Sequence, residues 1–169
     1  MPELTIENLD KALAALDPKM LDAPLRELLT KAALRIEADA KANAPADSGQ
    51  LRRTITHQVD QSEPPLEAVV GTNLSYAPYM EYGTGLLAEG DPAFKQGSGP
   101  HYPPGNALNV WAERHGFESG GQVATAIGRR GGLEPRRFLR NAFEGNQGFI
   151  AQLVAKCMDR IAAIWSKNG

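Results

Sequence analysis

Five arginines, Arg129, Arg130, Arg136, Arg137 and Arg140, crowd a short stretch in which Glu134 is the only acid. Guanidinium forks bind phosphates, and they bind carboxylates of a neighbouring subunit with the same two-pronged geometry. Three readings are open for such a cluster: a subunit interface, a nucleic-acid contact, or a plain solvated face. The charge elsewhere bears on the choice. No lysine or arginine lies between Arg53 and Lys95, a window that holds Asp60, Glu63, Glu67, Glu81, Glu89 and Asp91. An acidic middle and a basic later patch are what a head-to-tail contact requires, and such contacts close into rings where the rotation permits. The candidate interface set is therefore the five arginines with Glu81 and Glu89.

Other chemistry finds little support. Gly83-Thr84-Gly85-Leu86-Leu87-Ala88 has the loose G-x-G-x-x-A spacing of a dinucleotide loop. Such a loop leaves a buried parallel strand and opens a helix, whereas this one follows a tyrosine cluster and runs into Gly90, Pro92 and Gly97. His57, His101 and His115 lack the close spacing of metal ligands. Ser48 stands beside Asp47 in a turn-forming segment, where it reads as a turn or capping residue rather than a nucleophile. No G-x-S-x-G elbow and no paired carboxylates mark a hydrolase. Cys157 is the only cysteine, which excludes an internal disulfide and a cysteine zinc site, and its place in an apolar helical pattern reads as a buried, inert thiol. No catalytic set, metal or cofactor is expected.

The frame that must carry these residues is an ordinary one. At 169 residues, 42% hydrophobic and 22% charged, the chain suits a single domain with a real core. No run approaches the roughly eighteen apolar residues of a membrane span, and the opening Met1-Pro2-Glu3 lacks signal-peptide character, so a protein made and kept in cytoplasm is expected. Residues 1–18 form an N-terminal segment in which Leu9, Leu13 and Leu16 predict a short helix stopped at Asp17-Pro18; Leu4 to Glu7 also suits a short strand. A longer helix is predicted from about Pro24 to Asn43, with Leu21, Leu25, Leu28, Leu29, Ala32 and Ile36 as its apolar stripe.

Ala44 to Gly49 carries turn chemistry. Thr54–Val59 and Leu66–Thr72 then predict an antiparallel hairpin about Pro64-Pro65. Residues 86–134 read as an insertion: a long Gly/Pro-rich loop from Leu86 to Pro104, a helix from Gly105 to His115 and a short one from Gln122 to Arg129. Pro135 to Glu144 reads as a turn into an apolar step. After Gly145 comes the strongest periodic signal, Phe149, Ile150, Leu153, Val154, Cys157, Met158, Ile161 and Trp165. The fold class is α+β, a small antiparallel sheet flanked by a long N-terminal helix and a C-terminal helix. The segment Tyr76 to Gly85 sits at the base of the long loop. There Tyr76, Tyr79 and Tyr82 supply aromatic bulk, and Gly83 and Gly85 let the chain bend.

Three blocks resemble the tail-completion or head-to-tail joining proteins of long-tailed bacteriophages, also called neck or minor tail proteins. Ala44-Pro45-Ala46-Asp47-Ser48-Gly49-Gln50-Leu51-Arg52-Arg53-Thr54-Ile55 is similar to their A-P-x-D-S/T-G-x-L-R-x-S-I turn. Tyr76-Ala77-Pro78-Tyr79-Met80-Glu81-Tyr82-Gly83-Thr84-Gly85 is similar to Y-A-x-Y-V-E-F/Y-G-T-G. Pro135-Arg136-Arg137-Phe138-Leu139-Arg140-Asn141-Ala142 is similar to P-x-x-F-L-x-x-A. The order and spacing of the blocks match from about Leu25 to Trp165, and the Gly/Pro-rich run from Glu89 to Gly99 departs from the pattern.

The resemblance implies a non-enzymatic virion protein, an oligomeric ring in the phage neck or at the head-proximal end of the tail, hexameric by family expectation. Its implied partners are the tail tube or tail terminator and head-completion proteins. DNA would pass through the lumen without sequence-specific binding, and no membrane is involved. A nucleic-acid-binding accessory protein using the arginine patch is the alternative.

Overall fold

The computed structural model describes residues 18–60, 66–89 and 99–168. The short helix expected before Asp17, the Pro64-Pro65 turn and the middle of the Leu86–Pro104 loop lie outside them. In order come α1 (Pro18–Asn43), α2 (Gln50–Thr54), β1 (Thr56–Val59), β2 (Ala68–Gly71), α3 (Ala77–Tyr82), α4 (Asn109–Arg114), α5 (Gly120–Arg129), α6 (Phe138–Gly145) and α7 (Gln147–Asn168). Single 3₁₀ turns at Gly85–Leu87 and Gly105–Leu108 precede and follow the loop. The α+β class expected from the sequence is what forms, with helix far exceeding strand.

The chain divides into two compact units. One gathers α1 as far as Asp39, the hairpin, and the chain from Ala142 onward. Here α1 begins at Pro18, six residues before the expected start, and runs through Pro24. Proline suits a first helical position because its missing N–H would be unpaired there in any case. At Pro24 the same deficit costs one helical hydrogen bond, and the buried ring contributes apolar contact in return. Ala33 and Ala40 are deeply buried on α1, where their small side chains allow close approach.

The hairpin pairs His57 with Val70 and Val59 with Ala68 on its half-buried face, and Asp60 N–H extends the ladder to Glu67 O at 2.8 Å. Thr54, expected in the strand, instead ends α2, its hydroxyl donating to the carbonyls of Gln50 and Leu51. That local bonding gives the backbone an alternative to the ladder. His57 Nδ1 lies 2.5 Å from Glu37 Oε2, tying β1 to α1.

The periodic stripe of α7 divides into two faces. Leu153 and Cys157 are buried with Ile150, Ile161 and Ile164 half-buried beside them, whereas Val154, Met158 and Trp165 are exposed. Glu27 on α1 accepts from Lys31 at 2.6 Å and pairs with Arg160 of α7. The Lys31 hydrogen bond, then that of Arg160, holds its carboxyl below the usual glutamate range. The pair therefore contributes at neutral pH and fades as pH falls through the lowered value, weakly because water and salt screen it.

Asn146 occupies the corner between α6 and α7, 4% exposed and fully engaged. Its Nδ2 donates to Asp39 Oδ2 at 2.6 Å and Ala142 O at 2.8 Å, and its Oδ1 accepts from Arg35 Nε at 3.3 Å. Asn146→Ala is expected to cost about 2 kcal/mol, because three polar groups lose a partner at once. The urea midpoint should fall with an unchanged denaturant slope. A shift under about 0.5 kcal/mol would show that water replaces the amide.

Candidate functional site

The second unit comprises Ala40–Thr54 and Thr72–Asn141. Within it the tyrosine-glycine segment and the segment before α6 are laced together through their backbones. Arg136 N–H donates to Met80 O (2.8 Å), Arg137 N–H to Glu81 O (3.2 Å), Thr84 N–H to Leu133 O (2.9 Å) and Leu86 N–H to Gly131 O (2.9 Å). Thr84, 2% exposed, returns a bond through Oγ1, which accepts from Leu133 N–H at 2.9 Å. The segment read as bent loop base is thus helical from Ala77 to Tyr82, with Pro78 in its first turn. Its glycines do the bending afterwards. A Cβ on Gly83 (φ 74°) would lie 2.5 Å from Leu133 O, and one on Gly132 (φ 147°) would overlap Thr84 O.

Glu81, expected at an interface, is 5% exposed. Its Oε2 accepts from Leu139 N–H and its Oε1 from Arg140 N–H, both at 2.9 Å. These are first-turn amides of α6, so a carboxylate from α3 caps a helix distant in sequence and faces its positive end. A carboxylate so enclosed has no free surface to offer a neighbour. The local sequence held a signal for this. Arg136 and Arg137 precede Phe138, neither can cap a helix, and Arg137 takes φ 49° to deliver the chain into α6. A buried helix start without its own cap implies an acceptor from elsewhere.

The five arginines separate into two sets. Arg137 Nε donates to Glu89 Oε2 at 2.7 Å, with a second contact from the same guanidinium. Arg140 lies 4.0 Å from that oxygen and 5.7 Å above the Tyr82 ring. Glu89 therefore neutralises an internal basic pair. Arg129, Arg130 and Arg136 are exposed and have no acidic partner among the described residues. Arg130 and Arg136 flank a cleft of about 170 Å³ floored by Met80, Leu87, Ile127 and Leu133, with Glu134 on its rim. Tyr76 is exposed and Tyr79 is half-buried.

The loop's two ends meet at one atom. Leu86 N–H and His101 N–H (3.3 Å) both donate to Gly131 O. The chain that follows packs closely at glycines: a Cβ on Gly120 would overlap Gly105 O, and one on Gly128 the Tyr102 ring. The turn from Ala44 to Gly49 is held through polar contacts. Asp47 lies 3.5 Å from Arg114 and 3.7 Å from His115, whose ring stacks on Trp111 at 3.9 Å. Ser48 Oγ accepts from Gln50 N–H at 3.3 Å, at the start of α2. His57 faces Glu37 and His115 faces Asp47. Among the described residues no three His, Cys, Asp or Glu side chains converge to hold a metal ion, and no helix is long and apolar enough to cross a membrane.

Comparison with known proteins adds one relationship. Residues 5–83 match the family model described as "Bacteriophage HK97-gp10, putative tail-component". No curated protein and no solved structure matches the chain. The matched span contains the Ala44–Ile55 block and most of the Tyr76–Gly85 block and stops at Gly83. Pro135–Ala142 lies beyond it, bound to the matched part through the lacing above.

Proposed function

We propose, for a chain whose residues 5–83 are similar to a bacteriophage tail-component family, that it is a neck or tail-completion subunit which assembles into a ring and joins tail to head. The observation that carries this beyond the family likeness is the division of the arginines. Glu89 pairs with Arg137 and lies near Arg140, while Arg129, Arg130 and Arg136 stand exposed, in ion-pair contact with no acid among the described residues, on a segment pinned by backbone hydrogen bonds. With the backbone already ordered, these guanidinium groups have only side-chain freedom to lose when they fork onto carboxylates brought by another subunit. The role requires no catalysis, and it places the protein in the virion, at the neck or head-proximal tail.

The purified chain, alone and with partly assembled tails, is expected to form rings in electron micrographs. Monomers in both preparations, with tails that join heads normally after gene deletion, would sink the reading. The same three arginines suit phosphates, which sustains the alternative of a nucleic-acid-binding accessory protein. Three phosphate contacts would weaken DNA binding about 40-fold between roughly 50 and 200 mM salt. Absence of DNA binding at the lower salt removes that alternative.

A further inference from the structure

The structure points to a specific contact between copies: we infer that the Arg130–Arg136 cleft of one copy receives Phe117 and Glu118 of the next. The inference rests on the ring reading above and names the surfaces it would use. Size is the first constraint. At about 170 Å³ the cleft falls well below the roughly 300–1,000 Å³ of small-molecule and cofactor pockets, so it suits one side chain. Its floor of Met80, Leu87, Ile127 and Leu133 favours an apolar group. Its rim carries two arginines against one acid, Glu134, and so favours a carboxylate beside that group.

The matching ligand is therefore a large apolar residue next to an acid, both exposed. Phe143-Glu144 and Met158-Asp159 meet that description but lie inside helices, where consecutive side chains do not share a face. Phe117-Glu118 lies in the irregular connection between α4 and α5, just after Gly116 turns the chain at φ 76°. Phe117 is 44% exposed, with its ring stacked on Trp111 at a centroid distance of 5.8 Å, which limits its rotamers before any contact forms. Glu118 pairs with the Gln122 amide at 2.8 Å and with no cation among the described residues.

Donor and acceptor occupy opposite ends of α5. Glu118 precedes Gly120, and Arg130 follows Arg129, about 15 Å along the helix. One copy thus presents its aromatic-acid turn at one end while its cleft remains open at the other. Repetition of that contact is heterologous and closes into a ring when the rotation allows.

The test uses the full chain in whichever preparation, purified protein or assembled tails, micrographs show to be oligomeric. Phe117→Cys with Leu133→Cys in a Cys157→Ala background is expected to give a disulfide ladder extending beyond dimers on mild oxidation. Surface charge reversals supply a second readout that leaves the core alone. Arg130→Glu with Arg136→Glu, and separately Glu118→Arg, should weaken self-association at least about tenfold by sedimentation, and combining them should recover most of it.

Dimers alone, or no cross-link, overturn the head-to-tail contact. So do charge reversals that leave assembly unchanged. Wild-type protein that is monomeric in both preparations overturns the ring reading itself, a result separate from failure of this contact in a chain that does assemble.

Discussion

Glu81→Ala is expected to lower the unfolding free energy by about 3 kcal/mol. The carboxylate is buried and accepts two first-turn amides of α6. Hydrogen bonds to charged groups are worth about 1.5–3 kcal/mol each, and water entering the vacated space recovers part of the loss. Glu81→Gln should fall between, because its remaining oxygen accepts one amide while its NH₂ faces the other donor. Urea unfolding of the three proteins gives the comparison, with the denaturant slope as a check that the native state is unchanged. An alanine variant within about 0.5 kcal/mol of wild type would mean that solvent caps α6 just as well. Since domains are stable by only about 5–15 kcal/mol, a loss of this size should also reduce soluble yield.

A larger effect is expected from a single methyl group at Gly132 or Gly85. At both, φ lies in the left-handed range, and a Cβ would overlap backbone: Thr84 O for Gly132, Gly131 O for Gly85. Backbone held in hydrogen bonds has little freedom to retreat, so strain adds to steric overlap. Gly132→Ala and Gly85→Ala should each cost more than about 3 kcal/mol, or abolish soluble expression. Gly148→Ala is the control. It lies within α7 with nothing within 4 Å of the added methyl, and should gain a few tenths to about 1 kcal/mol from helix propensity. Thermal unfolding of the three side by side decides the matter; equal midpoints for Gly132→Ala and Gly148→Ala would show that the chain relaxes around the added group.

Much of this was legible in sequence because it rests on local rules. The α7 periodicity, the β-branched runs of the hairpin and the glycine stops of α4 and α5 all produce elements close to where those rules place them. Three features escaped for physical reasons. Thr54 bonds back into α2, a choice its β propensity conceals. Helix α3 is short, opens near a proline and carries Tyr79 and Tyr82 just ahead of Gly83, a composition that suits a bend equally well. Glu81 was legible only as charge, and its burial depends on α6 starting far along the chain at Phe138.

The arginine cluster illustrates the same limit. Spacing identifies five guanidinium groups but cannot say which of them Glu89 neutralises, since Arg137–Glu89 is a long-range pair set by the lacing of Met80 and Glu81 to Arg136 and Arg137. The α7 stripe is legible as apolar, yet only folding shows that Val154, Met158 and Trp165 stay outside while Leu153 and Cys157 go in.

The shared carbonyl of Gly131 gives the chain a splice point. With Leu86 and His101 anchored to one oxygen, the two ends of the intervening stretch are held together, and the closure entropy of lengthening it is small, about 0.6 kcal/mol per doubling. Residues added between Glu89 and His101 would leave that anchor and the Glu89–Arg137 pair in place. An epitope or fluorophore tag inserted there is a practical label for the chain.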